Sequence, residues 1–210
     1  MKLVLTVTFA LLTFCGTLFA QQAIQLNDPD MSRGSSLMQS LQQRKSVRSY
    51  SEKPLSTQDL SDLLWAAYGV NRPDEKKRTI PTASNVQDID LYLFTAEGIY
   101  LYDASENMLN PVLEGDFRAE AGIQDFVGTA PVTIVIVSDL SRYRRGDEAA
   151  RRRYAAMHTG SVSQNISLFC AANNMGTVAI GMLDYDAVKE RLGLSETQIV
   201  KLSHPVGFLE

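Results

Sequence analysis

A short segment near residue 45 concentrates side chains that bind anions. It reads Arg44-Lys45-Ser46-Val47-Arg48-Ser49-Tyr50, and it places two arginines four residues apart with a hydroxyl between them. A guanidinium offers a rigid fork of N–H donors that matches a phosphate or a polarised carbonyl oxygen. The segment therefore predicts a site for an anionic ligand, although basic turns of this kind also occur on ordinary protein surfaces.

A second group of cations lies further along the chain, in Arg142-Tyr143-Arg144-Arg145 and Arg151-Arg152-Arg153. Three interpretations stay open for it: a solvated face or lid, attraction for an anionic substrate such as a nicotinamide nucleotide, and binding to an anionic polymer. Acidic residues are interspersed with these arginines, and the formal net charge of the whole chain is −4. The solvated face is favoured, and we expect no nucleic-acid partner.

Other kinds of reactive centre are not predicted. The two histidines, His158 and His204, have no acidic or cysteine neighbour at ligand spacing, so we expect them to be structural and predict no metal site. Cys170 lies in an apolar helical stretch, where a buried, unreactive thiol is expected. The sequence also lacks the G-x-G-x-x-G pattern that would indicate a Rossmann dinucleotide domain.

The elements that must position these residues follow from hydrophobic periodicity and capping signals. A helix is predicted over Leu37 to Leu41, capped by Ser35 or Ser36 and ending near Arg44, and a second helix from Ser56 or Thr57 to Gly69. Further predictions are an exposed, irregular loop at 71–78, a hairpin of strands 91–94 and 98–102, a helical stretch ending at Gly122, a buried strand at 132–137, helices at 148–175 and 185–192, and a strand at 199–202. This order indicates an α+β fold.

The first twenty residues have the composition of a signal peptide. Lys2 precedes the apolar run 3–14, and cleavage after Ala20 would change the charge from 20 − 24 to 19 − 24, or −5. A lipoprotein anchor at Cys15 is less favoured, because Phe14 stands where a small residue is expected. We expect a signal peptide at 1–20, a leader at 21–35 and one domain at 36–210, in a protein exported to the periplasm or cell envelope without stable membrane insertion after cleavage.

Several segments in a fixed order carry a family resemblance. The basic segment at 44–50 is followed by Pro54-Leu55-Ser56, by Asp59 to Asn71, by Arg78-Thr79-Ile80-Pro81-Thr82-Ala83-Ser84-Asn85, by Asp139 and by Val178-Ala179-Ile180-Gly181. From about Leu41 to Phe208 this series resembles the nitroreductase flavoproteins, particularly their dehydrogenase-like members. The resemblance implies a central, mainly antiparallel sheet flanked by helices, and a domain-entwined homodimer in which the 160–172 helix packs across the two-fold axis.

The same resemblance implies FMN as cofactor and gives roles to individual residues. Arg44 and Ser46 would hold the phosphate, with Lys45 in the same segment. Arg48 would be the catalytic residue, since a cation beside flavin N1 and O2 stabilises the charge that develops there. Asn85 would hydrogen-bond the flavin or its ribityl chain, and Thr82 and Ser84 would reach the cofactor of the neighbouring subunit. The backbone of three residues would face flavin N5: Ala179, Ile180 and Gly181.

The expected reaction is ping-pong hydride transfer from NADH or NADPH, as a transient donor, to a nitroaromatic, quinone-like or other electron-poor small molecule. Two departures from the family pattern stand out: no basic residue follows the last strand, and the turn at 85–88 lacks the usual proline and aromatic residue. Two alternatives remain open. One is a flavin-dependent dehydrogenase or oxidase of a peptide or small molecule in the cell envelope, and the other is a non-catalytic flavin- or ligand-binding protein.

Overall fold

A computed structural model describes residues 21–210, and its centre is a seven-stranded sheet. The strands are β1 (Ile24–Gln25), β4 (Ile89–Phe94), β5 (Gly98–Asp103), β6 (Met108–Glu114), β7 (Val132–Asp139), β8 (Met175–Thr177) and β9 (Gln198–Phe208). They are arranged in the order β1-β6-β5-β4-β7-β9-β8, and neighbouring strands pair antiparallel. The predicted antiparallel α+β architecture is confirmed.

Helices cover both faces of the sheet. On one side lie α1 (Leu37–Gln43), α2 (Thr57–Tyr68) and α4 (Glu148–Ala172), and on the other lie α3 (Asp125–Thr129) and α5 (Tyr185–Arg191). The central strand β7 shows why: Ile134 and Ile136 pack into the first core, while Val135 and Val137 pack into the second. Because successive side chains of a strand point to opposite faces, a continuous apolar run needs this double cover.

Local sequence signals fix the ends of the helices that carry the site. Ser36 and Ser56 form capping boxes with Gln39 and Asp59, so the predicted starts of α1 and α2 are confirmed. The Asp147 side chain caps α4 by accepting a hydrogen bond from the Ala150 N–H at 2.8 Å. At 25 residues α4 is roughly 37 Å long, so it spans one whole face of the molecule.

Several predicted elements need correction. The 71–78 segment is exposed, but it is a small hairpin of β2 (Val70–Arg72) and β3 (Lys77–Arg78) with a 3₁₀ turn between them. Strands β6 and β8 were not predicted, because Pro111 interrupts the first pattern and the second is three residues long. Strand β9 continues beyond 202 through Pro205, which stands between the Ile180–Ser203 bridge and the β8 pairing, where the ladder is interrupted because proline has no N–H to donate.

The leader at 21–35 is bound to the domain. Its strand β1 extends the sheet beside β6, and Arg33 forms ion pairs with Asp59 and Asp62 of α2. The predicted signal peptide and Cys15 lie outside the described residues. Within residues 21–210, no helix has the length and apolar character needed to cross a bilayer.

Candidate functional site

The anion-binding segment predicted at 44–48, called the basic strip below, lies along the free edge of β8. Ser46 forms a parallel bridge with Thr177, and the Val47 N–H donates to the Thr177 carbonyl at 3.0 Å. A Cβ added to Gly176 would come within 2.6 Å of Val47 Cγ1. The glycine therefore allows the strip and the strand to approach closely.

The extended strip presents its side chains alternately to two faces. Arg44, Ser46 and Arg48 share the outer face, while Lys45 and Val47 point to the other side. There they line a recess of about 480 Å³ at the C-terminal end of α4. Within residues 21–210, no carboxylate forms an ion pair with Arg44 or Arg48. The outer face thus offers two guanidinium groups and a hydroxyl to an external anion, and Lys45 is not part of it.

The loop that follows β8 lies beside the end of the basic strip. The two segments are parallel at the Ser46–Thr177 bridge, and Arg48 and Ala179 each lie two residues beyond it. Ile180 is buried, and both its N–H and its carbonyl are bonded to Ser203, at 2.8 and 2.9 Å. Its N–H is therefore not available to a ligand. Ala179 and Gly181 are exposed, and among the described residues their N–H groups have no backbone partner.

The predicted turn at 82–85 has a constrained backbone. Ser84, Asn85 and Gln87 have φ values of 54°, 53° and 49°, in the left-handed region that costs non-glycine residues about 1 kcal/mol each. The Thr82 hydroxyl accepts the Gln87 N–H at 3.1 Å, and the Gln87 side chain binds the Asn85 side chain at 3.1 Å and the Lys76 carbonyl at 2.6 Å. These bonds hold the turn against the β2–β3 hairpin.

A buried histidine also holds this turn in place. His158 Nε2 accepts the Ala83 N–H at 2.9 Å, so the ring carries its proton on Nδ1 and donates it to Asp88 at 2.6 Å. Burial would raise the pKa of Asp88, but hydrogen bonds from His158 and from Ser138, the latter at 2.6 Å, hold that pKa below its ordinary value. The ionised carboxylate therefore orients the imidazole that positions Ala83.

The basic strip lies near the C-terminal end of α4, whereas the turn contacts the middle of this helix. Ala83 contacts His158, whereas the recess behind the strip is lined by Cys170, and the two helix positions are separated by roughly 18 Å at 1.5 Å per residue. One chain therefore brings the strip together with 179–181 but leaves 82–85 apart.

The remaining reactive side chains are structural in the described part of the chain. Cys170 is buried, as expected, and burial raises the pKa of its thiol, which disfavours the nucleophilic thiolate. His204 is buried beside Ser163 and Thr177, and burial lowers its pKa to about 4. Within residues 21–210, no cluster of three His, Cys, Asp or Glu side chains could hold a metal ion.

Comparison with known proteins now decides the family. The sequence model described as the nitroreductase family matches residues 41–208, most of the chain. The chain belongs to the nitroreductase family. It is 30% identical to a nitroreductase-family protein of Methanocaldococcus jannaschii, over 78% of this chain and 86% of that one.

Solved structures agree with this assignment of the nitroreductase fold. A nitroreductase-family protein of Ralstonia eutropha superposes with a TM-score of 0.85 and 35% identity, covering 90% of both chains. The NADPH:FMN oxidoreductase of Vibrio harveyi, solved with NAD⁺, has a TM-score of 0.63 and 20% identity, covering 83% of this chain and 69% of that chain. The second likeness shows the fold alone.

The nitroreductase resemblance predicts three segments for the site but not the side chains that fix the conformation of one of them. Gln87, Asp88 and His158 determine the conformation of the 82–85 turn. The sequence offered one weak signal, a histidine on the buried stripe of a helix. Its partner Asp88 is 70 residues away, so the pairing becomes visible only in three dimensions.

Proposed function

We propose that this nitroreductase-family chain is an exported, homodimeric FMN-dependent oxidoreductase. It uses NADH or NADPH to reduce nitroaromatic, quinone-like or other electron-poor small molecules. The observation that carries the proposal is the outer face of the basic strip, where Arg44, Ser46 and Arg48 stand beside the exposed backbone of Ala179 and Gly181.

The donors on this face fit FMN. The FMN phosphate is an anion that needs several N–H and O–H donors, and Arg44 and Ser46 provide them without a competing carboxylate from the described residues. The flavin ring also needs a place where main chain can approach it. A Cβ at Gly181 would meet only Leu202, at 3.7 Å, so the outer side of this loop has room for a planar ligand.

Bound FMN would supply the redox chemistry by accepting and passing on a hydride. The residues of the chain do the rest. Arg48 stabilises negative charge at the pyrimidine edge, where a fixed guanidinium in a site shielded from water acts most strongly. Arg44 and Ser46 anchor the phosphate, and the N–H groups of Ala179 and Gly181 face the ring. The absence of an acid–base pair at the strip is consistent with this division of labour.

A second copy of the chain would complete the site. In one chain the 82–85 turn is roughly 18 Å along α4 from the basic strip, which supports the expectation that its contact with flavin is made to the partner's cofactor. Apolar side chains on α1 remain uncovered: Leu37 is 64% exposed and Met38 is 74% exposed. Such exposure is typical of a surface that a partner covers.

The side of α4 that remains open is the surface on which we expect the partner to pack. The fully buried apolar residues of the 160–172 segment, Val162, Ile166 and Cys170, face the chain's own sheet, while Leu168 and Phe169 are half-buried. The side of α4 left open carries Met157, Gly160 and Gln164, and a Cβ at Gly160 would meet no atom within 4 Å. We expect this side to lie against the partner helix.

The first experiment tests cofactor binding. The exported protein, purified and saturated with FMN, should be yellow, and a double Arg44→Ala/Arg48→Ala variant should bind FMN at least about a hundredfold more weakly, because two charge-assisted contacts are lost. Lys45→Ala is the matched control, because it removes a cation from the same strip but from the opposite face, and its FMN affinity should be unchanged. A protein that stays colourless with added FMN, or a double variant with unchanged affinity, would refute the proposal.

The second experiment tests the reaction. Anaerobic addition of NADH or NADPH to the yellow protein should bleach the flavin absorbance, and an electron-poor acceptor such as nitrobenzene or a quinone should restore it. A flavin that neither nucleotide reduces would eliminate the reductase and favour the dehydrogenase or oxidase alternative.

A further inference from the structure

A large recess lies beside the 82–85 turn, at the N-terminal half of α4. Its volume is about 820 Å³, and we call it the arginine recess. Three pieces of chain line it: the turn residues 83–86, the segment 142–146, and the α4 residues Ala150, Arg153 and Tyr154. Four of the lining residues are arginines and none is acidic. This is a different cavity from the one behind the basic strip.

The arginines of the recess are not equivalent. Arg142 is occupied within the domain, since it binds both oxygens of Asp90 at 2.7 Å and the Gln87 carbonyl at 2.8 Å. Arg144, Arg145 and Arg153 are exposed, and no carboxylate of residues 21–210 forms an ion pair with them. Three charges of one sign, converging on a concave surface without a counter-charge, create a strong attraction for an anion.

The floor of the recess is fixed. Tyr143 is buried, its hydroxyl lies 3.2 Å from His158 Nδ1, and its ring is nearly parallel to the imidazole, with an interplanar angle of 4° and 6.3 Å between the ring centroids. The Tyr154 ring also lies near His158, with 6.3 Å between the ring centroids, and the Arg153 guanidinium lies 5.7 Å from the Tyr154 ring centroid. An aromatic surface with an adjacent cation suits a planar molecule that carries an acidic group. A merely solvated face would not need this arrangement.

We propose that the arginine recess binds the anionic group of a molecule that exchanges electrons at the site, with Arg144, Arg145 and Arg153 as its ligands. This inference rests on the proposed function, because Ser84 and Asn85 line the recess and are the residues expected to face the flavin. The shared chemistry is a carboxylate or phosphate held by guanidinium groups. It belongs either to an acidic electron acceptor or to the nicotinamide nucleotide.

Equilibrium dialysis of the FMN-loaded protein tests the anion site without relying on turnover. The probes are 4-nitrobenzoate and 4-nitrobenzamide, which have the same ring and nitro group but differ in charge. We expect the wild type to bind the benzoate about tenfold to a hundredfold more tightly than the amide, the range for hydrogen bonds to a charged partner. In Arg144→Gln/Arg153→Gln this preference should disappear, with little change in affinity for the amide.

Arg152→Gln is the matched control. It removes a positive charge from the same helix, but its guanidinium pairs with Glu148 and does not line the recess. It should keep the preference for the benzoate. Equal binding of the two probes by the wild type, or equal losses in the double variant and in Arg152→Gln, would overturn the proposal.

Steady-state kinetics then identify the source of the anion. If the acidic acceptor uses the recess, the double variant should raise KM for 4-nitrobenzoate about tenfold or more and leave KM for NADH and NADPH unchanged. If the nucleotide phosphates use it, KM for the nucleotide should rise and that for 4-nitrobenzoate should not. A protein that cannot hold FMN but still binds the benzoate selectively would refute the proposed function and the redox role of the recess. The anion site itself would stand. KM values unchanged for every substrate would refute the redox role.

Discussion

His204 provides a quantitative test of how burial controls stability in this protein. It lies in β9 and is fully buried, with Nε2 2.9 Å from the Ser163 hydroxyl and Nδ1 3.2 Å from the Thr177 hydroxyl. Both partners are neutral, so they do not compensate for the cost of charging the ring. Burial therefore lowers the pKa of His204 from 6.5 to about 4.

The sign of the effect follows from proton binding. Between pH 6.5 and pH 4 the unfolded chain protonates this histidine while the folded chain does not, so the free energy of unfolding falls as the pH falls through this window. With a pKa of 6.5 unfolded and about 4 folded, lowering the pH from 7 to 5 should cost roughly 2 kcal/mol through this single residue.

The perturbation is His204→Gln, which keeps polar atoms for the two hydroxyls but cannot titrate. The assay is urea denaturation at pH 7 and pH 5 at one protein concentration, for wild type and variant. Every other titrating group is common to both proteins, so the difference between their pH-induced losses isolates His204. We expect the variant to lose about 2 kcal/mol less than the wild type between pH 7 and pH 5. Equal losses would refute the reasoning.

Three further variants test other parts of the structure. His158→Ala should lower the free energy of unfolding by about 3 kcal/mol, measured by urea denaturation, because it leaves the Ala83 N–H without a partner and the buried Asp88 carboxylate with Ser138 but without its bond from His158; a loss below about 1 kcal/mol would show that the network is not structural. Gly176→Ala should cost about 1–3 kcal/mol and also weaken FMN binding, since its Cβ would push Val47 and the basic strip away from β8; wild-type FMN affinity would contradict the proposed position of the cofactor. Gly160→Arg should leave the monomer fold intact by circular dichroism but abolish the dimer in size-exclusion chromatography, and an intact dimer would place the interface elsewhere.

The sequence predicted those elements whose pattern depends on their own residues. The apolar run at 132–137 and the capped helices at 37 and 57 carry local signals, so they were found with nearly correct bounds. Strand β6 was missed because its pairing with β5 tolerates Pro111 at a bulge, which only the partner strand makes possible. Strand β8 is too short to show a period, yet it is the edge that positions the basic strip.

The sequence proposed the segments of the candidate site but could not predict how their side chains and backbone groups are oriented. Family resemblance led to 44–48, 82–85 and 179–181. The orientation of each side chain depends on neighbours distant in sequence. Lys45 faces away from Arg44 because of the pairing with Thr177, and Ile180 cannot offer its N–H because Ser203 already accepts it. Such facts depend on tertiary contacts and have no local sequence signal.

The distance along α4 between the turn and the basic strip has a genetic consequence, given the proposed homodimer. A chain defective at Arg44 and Arg48 still carries an intact turn, and a chain defective at Ser84 and Asn85 still carries an intact strip. When the two defective chains are produced together, some dimers contain one of each. In such a mixed dimer one active centre carries both lesions, and the second active centre carries neither. Because half of randomly formed pairs are mixed, two individually inactive alleles should restore about a quarter of the wild-type centres. Neither allele would achieve this alone, so complementation would reveal that each centre is shared between two chains.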